Sequence, residues 1–314
     1  MKKVSVIGAG NVGSTVANVL AHKDFLKEIV LLDIKEGVAE GKSLDTWQQA
    51  SIDNYSTYLN GVTNNYEATA GSDVVVITSG RPRSPGMSRD DLININADIV
   101  KSVTENVIKH SPNAIIIIVS NPLDVMSYCA YLTAGIPSNR VMGMAGILDT
   151  ARYRAFLATE LNVSPKDIQA LLLGGHGDTM VPLPRYTTVA GIPVTDLIDE
   201  SKLNAIVDRT KKGGGEIVNL LGTSAWYAPG AAAAQMVEAI IKDENRIFPC
   251  CVWLNGEYGL KDIFLGVPVK LGKNGIEEII ELKLNDSEKQ LLNDSAKAVK
   301  EVMSVLDKKM AATI

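Results

Sequence analysis

The sequence predicts an α/β protein in which a doubly wound parallel sheet is followed by an α+β part. Over the first 145 residues, short β-branched runs alternate with amphipathic segments of helical length. Beyond about residue 146 this alternation stops, and strand-like pieces mix with longer helical patterns. No linker rich in Pro, Gly or Ser separates the two parts. We therefore expect two closely packed domains, residues 1–145 and residues 146–314.

The predicted parallel strands are continuous apolar runs, as expected for strands that are buried on both faces. They lie at 3–8, 28–33, 73–78 and 114–120, and the helical segments between and after them at 12–22, 37–50, 90–109 and 122–134. In the second part, helices are predicted at 148–161, 200–221, 229–242 and 285–309. Strands are predicted near 168–175, 246–254 and 263–271, and short strand-like pieces with turns around 181–194.

The composition excludes several classes of function. A net charge of −5 and a pI of about 5.4 disfavour binding to nucleic acid, which usually needs a basic surface. No run reaches the roughly 18 apolar residues of a membrane span. The three cysteines, Cys129, Cys250 and Cys251, make a poor disulfide framework because their number is odd and two are adjacent. We expect a cytoplasmic protein with reduced thiols that binds neither nucleic acid nor membrane.

The N-terminal stretch "VIGAGNVG" predicts a dinucleotide site. Gly8, Gly10 and Gly13 form a G-x-G-x-x-G pattern between a predicted strand and a predicted helix. In such a site the glycines allow a tight turn, close approach of a pyrophosphate and close helix–strand packing, and the helix N-terminus attracts the phosphates. A glycine turn between a strand and a helix is common, so the pattern alone is weak.

Asp33 strengthens this interpretation because it ends the second predicted strand. A carboxylate at this place accepts hydrogen bonds from the adenosine ribose and repels a 2′-phosphate. Lys35 is the only cation that follows closely, and no arginine is present to bind such a phosphate. The sequence therefore predicts NAD rather than NADP as the cofactor.

His176 is the candidate acid/base among three histidines. It lies in "LLLGGHGDT" after an apolar run, with a glycine on each side. An imidazole titrates near neutrality, as proton exchange with an alcohol or carbonyl requires. The alternative is an ordinary polar histidine in a loop. We expect no metal site, since no second His or Cys stands at ligand spacing.

Two further segments leave alternatives open. Asp149 and Arg152 share a helix face in "GILDTARYR", where they form either a surface ion pair or a site in which Asp149 orients a histidine and Arg152 binds a carboxylate. Asn121 follows a central predicted strand, where open α/β sheets bind ligands. It could equally cap the helix that Pro122 begins.

Taken together, five motifs resemble the lactate/malate dehydrogenase family, over residues 3 to about 305. They are "GAGNVG" (8–13), "GRPRSPGMSRDDL" (80–92), "VSNPLD" (119–124), "GILDTARYR" (146–154) and "GGHGD" (174–178). The resemblance is greatest to the family's malate-specific members. It implies an N-terminal Rossmann domain, a C-terminal catalytic domain, and reversible oxidation of (S)-malate to oxaloacetate by hydride transfer to NAD, a tricarboxylic acid cycle reaction.

The resemblance also implies roles for single residues. His176 is the expected acid/base, Asp149 orients it, Arg152 binds the substrate's C1 carboxylate and Arg89 polarises the reacting carbonyl. Asn121 helps to place the substrate and the nicotinamide. The expected cofactor contacts are Gly8, Ala9, Gly10, Asn11, Val12, Gly13, Asp33, Asn96, Val119, Ser120 and Asn121.

The arginine-rich segment 80–92 corresponds to the family's mobile lid. Lactate-specific members carry glutamine where this sequence has Arg83, and malate-specific members carry an arginine that meets the second carboxylate of oxaloacetate. The resemblance therefore implies a dicarboxylic acid substrate. Arg81 stands where members often have an apolar residue, and we assign it no role.

Three rivals remain at this point. A lactate or other 2-hydroxy-acid dehydrogenase would share the scaffold but is opposed by Arg83. NAD-dependent glycosidases would need a metal site. An NAD-sensing protein without catalysis would not require His176, Asp149 and the arginines together. The family resembled consists mostly of homotetramers and homodimers, so we expect one of these assemblies.

Overall fold

The computed structural model describes residues 2–82 and 88–311. The strands within them are β1 (Lys3–Ile7), β2 (Glu28–Asp33), β3 (Tyr58–Thr63), β4 (Val74–Ile77), β5 (Ile115–Ile118), β6 (Val141–Gly143), β7 (Ile168–Gln169), β8 (Leu172–Leu173), β9 (Val181–Pro182), β10 (Thr188–Val189), β11 (Ile192–Pro193), β12 (Arg246–Asn255), β13 (Lys261–Gly272) and β14 (Gly275–Ile279). The helices are α1 (Asn11–Lys23), α2 (Val38–Asp53), α3 (Arg89–His110), α4 (Leu123–Ala134), α5 (Gly146–Leu161), α6 (Glu200–Leu221), α7 (Tyr227–Ile241) and α8 (Asp286–Ala311).

Six parallel strands form the predicted doubly wound sheet, in the order β6-β5-β4-β1-β2-β3. The central strands β4 and β5 read "VVVI" and "IIII" and are buried throughout, as a sheet covered by helices on both faces requires. The strand order reverses between β1 and β4. Open α/β sheets bind their ligands in the crevice at this point, outside the carboxyl ends of the strands.

The C-terminal part continues the same sheet rather than forming a separate one. The antiparallel strands β12, β13 and β14 follow β6 in the order of the sheet, and Cys251 of β12 lies opposite Gly143 of β6. One hydrophobic cluster runs through the parallel and the antiparallel strands. A smaller cluster lies between α5, α6 and the short strands of the C-terminal part. The predicted α/β class with an α+β C-terminal part is confirmed.

Several elements differ from the sequence prediction. Strands β3, β6 and β14 were not predicted. The apolar run at 168–175 is divided into β7 and β8, each of two residues. Helix α4 begins at Leu123, with Pro122 as its N-cap rather than its first residue.

Hydrogen bonds between Ser88 and Asp91 fix the start of α3 within the arginine-rich segment 80–92. The Ser88 hydroxyl accepts a hydrogen bond from the backbone N–H of Asp91 at 3.0 Å, and the Asp91 carboxylate accepts one from the backbone N–H of Ser88 at 3.1 Å. This capping box starts α3 at Arg89.

No helix in the described ranges 2–82 and 88–311 is long and apolar enough to cross a membrane.

Candidate active site

The glycine-rich turn after β1 has the shape that a pyrophosphate requires. Gly8 adopts a φ of +107°, and an added side chain at Gly13 would lie 1.8 Å from the carbonyl oxygen of Gly8. Gly10 is exposed, and no atom of the described part of the chain lies within 4 Å of the place that a side chain would occupy. Among the described residues no side chain caps α1, and its first turn carries no acidic residue. The N–H groups at this helix start are therefore open to an anion.

Asp33 lies beside this turn at the end of β2. One of its carboxylate oxygens accepts the backbone N–H of Ala9 at 2.7 Å, and the other accepts that of Lys35 at 2.9 Å. A carboxylate accepts about four hydrogen bonds, so capacity remains for ribose hydroxyls. The Lys42 ammonium, which the sequence did not single out, donates to the carbonyl of Ala9 at 2.7 Å. The turn, the helix start and the carboxylate thus fit a dinucleotide.

Asn96 links the segment before the arginine-rich loop to the end of β5. Its side-chain oxygen accepts the backbone N–H of Arg81 at 2.8 Å. Its side-chain nitrogen donates to the carbonyls of Arg81 at 3.1 Å and Asn121 at 2.7 Å. The amide thereby holds both backbones at the cofactor end of the sheet. Its direct contact with the cofactor stays a prediction.

Asn121 lies on the cavity of the site, together with Val12 and Val119. Because Pro122 is the N-cap of α4 and the cap lacks a side-chain hydrogen bond, Asn121 does not cap that helix. Ser120 is buried, and its hydroxyl donates to the carbonyl of Ser79. Asn121, in contrast, is exposed at the carboxyl edge of β5.

His176 and Asp149 form a buried pair. The Nδ1 atom of His176 lies 2.9 Å from a carboxylate oxygen of Asp149, and the side chains are 18% and 3% exposed. A carboxylate can only accept, so Nδ1 carries the proton and the lone pair of a neutral ring is on Nε2. Nε2 receives no hydrogen bond from any residue that the structure describes. This atom is therefore left to exchange a proton with a ligand.

The surroundings of His176 favour the protonated ring. Burial lowers the pKa of His176, and Arg152 acts in the same direction. The charge and the hydrogen bond of Asp149, with a smaller contribution from the charge of Asp124, outweigh both effects. The net result is a pKa above the ordinary value for histidine, so His176 stays protonated to higher pH than a free imidazole.

Arg152 binds the other oxygen of the Asp149 carboxylate. Its Nη1 atom donates to Oδ1 of Asp149 at 3.1 Å, and its side chain is only 14% exposed. The ion pair is therefore buried beside His176, which excludes the surface alternative. The Nε atom of Arg152 is buried and has no hydrogen-bond partner in the described part of the chain. An unpaired guanidinium N–H at this place suits a carboxylate ligand.

Glycines in α6 make room for Arg152. A side chain added at Gly213 would lie 3.2 Å from Cδ of Arg152, and one added at Gly214 would lie 3.8 Å from its Nη2 atom. Each glycine within a helix costs about 1 kcal/mol relative to alanine. The run "KKGGGE" in the middle of α6 therefore has a structural reason, and it is the signal by which the sequence could have revealed this contact.

His176, Arg152 and Asn121 open onto one cavity of about 450 Å³, a size suited to a small ligand. Its other lining residues come from α1, α4, α5, α6 and α7, from the loops after β5 and β6, from the loop around His176 and from the segment between α6 and α7. They are Val12, Val119, Leu123, Met144, Leu148, Gly177, Asp178, Met180, Lys211, Lys212, Gly214, Gly215, Val218, Ser224, Ala225 and Pro229. The described residues contain no group of three or more His, Cys, Asp or Glu side chains that could hold a metal ion.

Two predicted site residues cannot be placed by their side chains. Arg83 lies outside the described residues. Arg89 is the first residue of α3, and only its backbone position is described. Their roles stay predictions.

Sequence comparison assigns this arrangement to a family. The family model "lactate/malate dehydrogenase, NAD binding domain" matches residues 2–143, and "lactate/malate dehydrogenase, alpha/beta C-terminal domain" matches residues 147–309. The chain belongs to the lactate/malate dehydrogenase family. Its cofactor is NAD, as the sequence predicted.

Close relatives within the family carry the name malate dehydrogenase. The protein of Cytophaga hutchinsonii is 69% identical over 305 residues, covering 97% of this chain and 98% of the relative. The protein of Salinibacter ruber is 60% identical over 294 residues, covering 94% and 93%.

Solved structures of family members share the whole fold. The malate dehydrogenase of Salinibacter ruber has a TM-score of 0.95 at 55% identity and covers 99% of this chain and 100% of its own. The lactate dehydrogenase of Cryptosporidium parvum, solved with lactic acid and NAD, has a TM-score of 0.93 at 39% identity and covers 98% of both chains. The fold alone therefore does not separate the two substrates.

Proposed function

We propose that the chain catalyses the reversible, NAD-dependent oxidation of (S)-malate to oxaloacetate, with the residue roles given below. The observation that carries the chemistry is the His176–Asp149–Arg152 cluster, in which one buried carboxylate binds an imidazole at 2.9 Å and a guanidinium at 3.1 Å. Relatives at 54–69% identity over 94–97% of this chain are named malate dehydrogenase. NAD supplies the hydride chemistry when bound.

His176 moves the proton in this proposal. During reduction, protonated Nε2 donates to the carbonyl oxygen of oxaloacetate, and during oxidation neutral Nε2 accepts the hydroxyl proton of malate. Asp149 holds Nδ1–H at 2.9 Å, which fixes the tautomer and stabilises the imidazolium. The pair is buried, so the charges interact more strongly than they would in water.

Cationic side chains bind the substrate in this proposal. Arg152 binds the C1 carboxylate through guanidinium N–H groups that Asp149 leaves unused. Arg89 polarises the reacting carbonyl, and Arg83 meets the second carboxylate. Asn121 places the reacting carbon from the carboxyl end of β5. The specificity for a dicarboxylate rests on Arg83, and the family's own pattern at that position supports this assignment.

The test of this function is the opposite pH dependence of the two directions. We expect oxaloacetate reduction to be fast while His176 is protonated and to fall by about tenfold per pH unit above its raised pKa. Malate oxidation needs the neutral ring, so it should rise with pH over the same range. The measurement is kcat/KM against pH, with NADH and oxaloacetate and then with NAD and malate.

Two outcomes would contradict the proposal. The first is absence of turnover in both directions at every pH. The second is a reduction rate that rises with pH, because this would mean that the protonated ring is not the donor. Formation of (S)-malate, checked with a stereospecific assay, controls for the identity of the product.

We further propose the organisation of the chain in its cell. Residues 1–145 form the NAD-binding domain, and residues 146–314 form the substrate-binding and catalytic domain, to which the first domain adds Arg83, Arg89 and Asn121. All three cysteines are free and buried, which supports a reducing compartment, the cytoplasm. Large apolar side chains are exposed on α2, α6 and α7, including Leu44, Leu220 and Tyr227. They support assembly into a homodimer or homotetramer, since large exposed apolar surfaces commonly mark interfaces.

A further inference from the structure

A second buried carboxylate contacts the catalytic loop. Asp124 lies in the first turn of α4 and is 8% exposed. Its Oδ2 atom accepts the backbone N–H of His176 at 3.0 Å. Its Oδ1 atom accepts the thiol of Cys251, in β12, at 3.2 Å. One carboxylate thus connects α4, the His176 loop and the antiparallel part of the sheet.

The rest of the loop is held from α8. The backbone N–H of Gly175 donates to the hydroxyl of Ser295 at 2.9 Å. A side chain added at Gly175 would lie 2.6 Å from Cγ2 of Val299 and 3.3 Å from Oδ2 of Asp124. The loop therefore approaches Asp124 closely only because this position is glycine. Asp149 fixes the ring of His176, and Asp124 fixes its backbone.

The charged groups around this contact come from several elements. Asp149 and Arg152 face His176 from α5, and Asp178 follows it in its own loop. Cys251 faces Asp124 from β12. Ser295 and Val299 of α8, which contact the loop, carry no charge. Asp124 and Asp149 are thus the two acidic groups whose charges act on His176, and Arg152 opposes them.

The Cys251 thiol remains able to donate its hydrogen bond to the Asp124 carboxylate at neutral pH. Burial, together with the adjacent carboxylate, raises the pKa of the Cys251 thiol far above its ordinary value, so the thiol remains a donor at neutral pH. Burial, with a smaller contribution from the charge of Asp149, raises the pKa of Asp124 above its ordinary value, and the Cys251 thiol and His176 oppose this rise without reversing it. The hydrogen bond from Cys251 therefore favours the charged form of the carboxylate.

We propose that Asp124 is a positioning residue for the acid/base, holding the backbone of His176 and adding its negative charge to that of Asp149 in support of the imidazolium. Cys251 maintains this charge through its thiol. The proposal rests on His176 being the acid/base of the proposed function. It assigns Asp124 and Cys251 chemical roles that neither residue has in the sequence prediction.

The test is the Asp124→Asn variant of the full chain. Asparagine keeps an oxygen that can accept the His176 N–H but removes the charge. We expect the falling limb of oxaloacetate reduction to move to lower pH, so that kcat falls about tenfold more at the alkaline end of the profile than at the acid end. KM for oxaloacetate should change little, because Arg152 is unaltered. A loss that is equal at every pH, or an unchanged profile, would overturn the proposal.

Substitutions of Cys251 provide a second test, because they leave the hydrogen bond between Asp124 and the backbone N–H of His176 in place. Cys251→Ala removes the thiol donor. We expect the decrease of kcat with rising pH to move to lower pH, as in Asp124→Asn, but by a smaller amount. Cys251→Ser restores a donor and should restore the limb. A pH profile of Cys251→Ala that matches the wild-type profile would contradict the role of the thiol. If Asp124→Asn fails to bind NADH, the Cys251→Ala profile is the test of the proposal.

The wild-type profile separates this inference from the proposed function. If wild type does not turn over oxaloacetate, the proposed function fails. If wild type shows a limb that His176→Asn abolishes, and Asp124→Asn leaves that limb in place, the proposed function stands and only the role of Asp124 is wrong.

Discussion

Replacing His176 by Asn lowers kcat for oxaloacetate reduction by about 10²–10⁴-fold, the usual contribution of a positioned general acid. Asparagine approximates the shape of the ring's near edge but neither donates a proton at neutral pH nor titrates. The loss should be in kcat rather than in NADH binding, because His176 is not among the predicted cofactor contacts. Steady-state kinetics and NADH fluorescence titration measure the two quantities separately.

The matched control is His22→Asn, which removes an exposed histidine that pairs with Asp53 at 3.0 Å outside the cavity. We expect kcat within about twofold of wild type, as for most surface substitutions. A kcat for His176→Asn within tenfold of wild type would show that the proton comes from another group. The pH limb described above should vanish with His176 and persist in the control.

Replacing Arg152 by Gln should lower kcat/KM for oxaloacetate by roughly one and a half to three and a half decades. The physical reason is the loss of one partner of a desolvated charge pair, which costs about 2–5 kcal/mol, and each factor of ten corresponds to about 1.4 kcal/mol. An exposed pair would contribute only about 0–1 kcal/mol. Because the Arg152 side chain is only 14% exposed, its pair with the substrate carboxylate is desolvated and the larger range applies. The measurement is kcat/KM at fixed, saturating NADH.

Arg154→Gln is the control for this substitution. It makes the same change of charge two residues along α5, where the guanidinium donates to the carbonyl of Pro165 at 2.7 Å and does not line the cavity. We expect kcat/KM close to wild type. Equal losses in the two variants would mean that charge on α5, rather than a contact with substrate, is what matters.

The strands that are buried on both faces were predictable from the sequence, because burial on both faces requires an unbroken apolar run. Strands β4 and β5 are unbroken apolar runs because both faces of a central strand are covered by helices. The edge strand β3, "YLNGVT", has an exposed tyrosine and several half-buried positions, so it carries no such signal. Strand β6 has three residues, too few to show a period. Its position is set by pairing with β5 and β12, which are distant in sequence.

The candidate site was predictable for residues whose chemistry is unusual in their setting. His176 between glycines and Asp33 at a strand end are examples. The spacing of Asp149 and Arg152 could not decide between a surface pair and a buried one, because burial depends on α6, about 60 residues further along the chain. Asp124 was missed for a similar reason. Its partners His176 and Cys251 lie 52 and 127 residues away in sequence.

Arg83 is the residue on which substrate choice depends in this account, and its assignment rests on the family pattern. The measurement that tests the account most directly is kcat/KM for oxaloacetate and for pyruvate, with NADH at neutral pH, in wild type and in Arg83→Gln. We predict that wild type prefers oxaloacetate by several decades and that Arg83→Gln loses roughly one and a half to three and a half of them, or inverts the preference. Comparable rates with the two acids in wild type, or a preference for pyruvate, would contradict the assignment of malate as substrate.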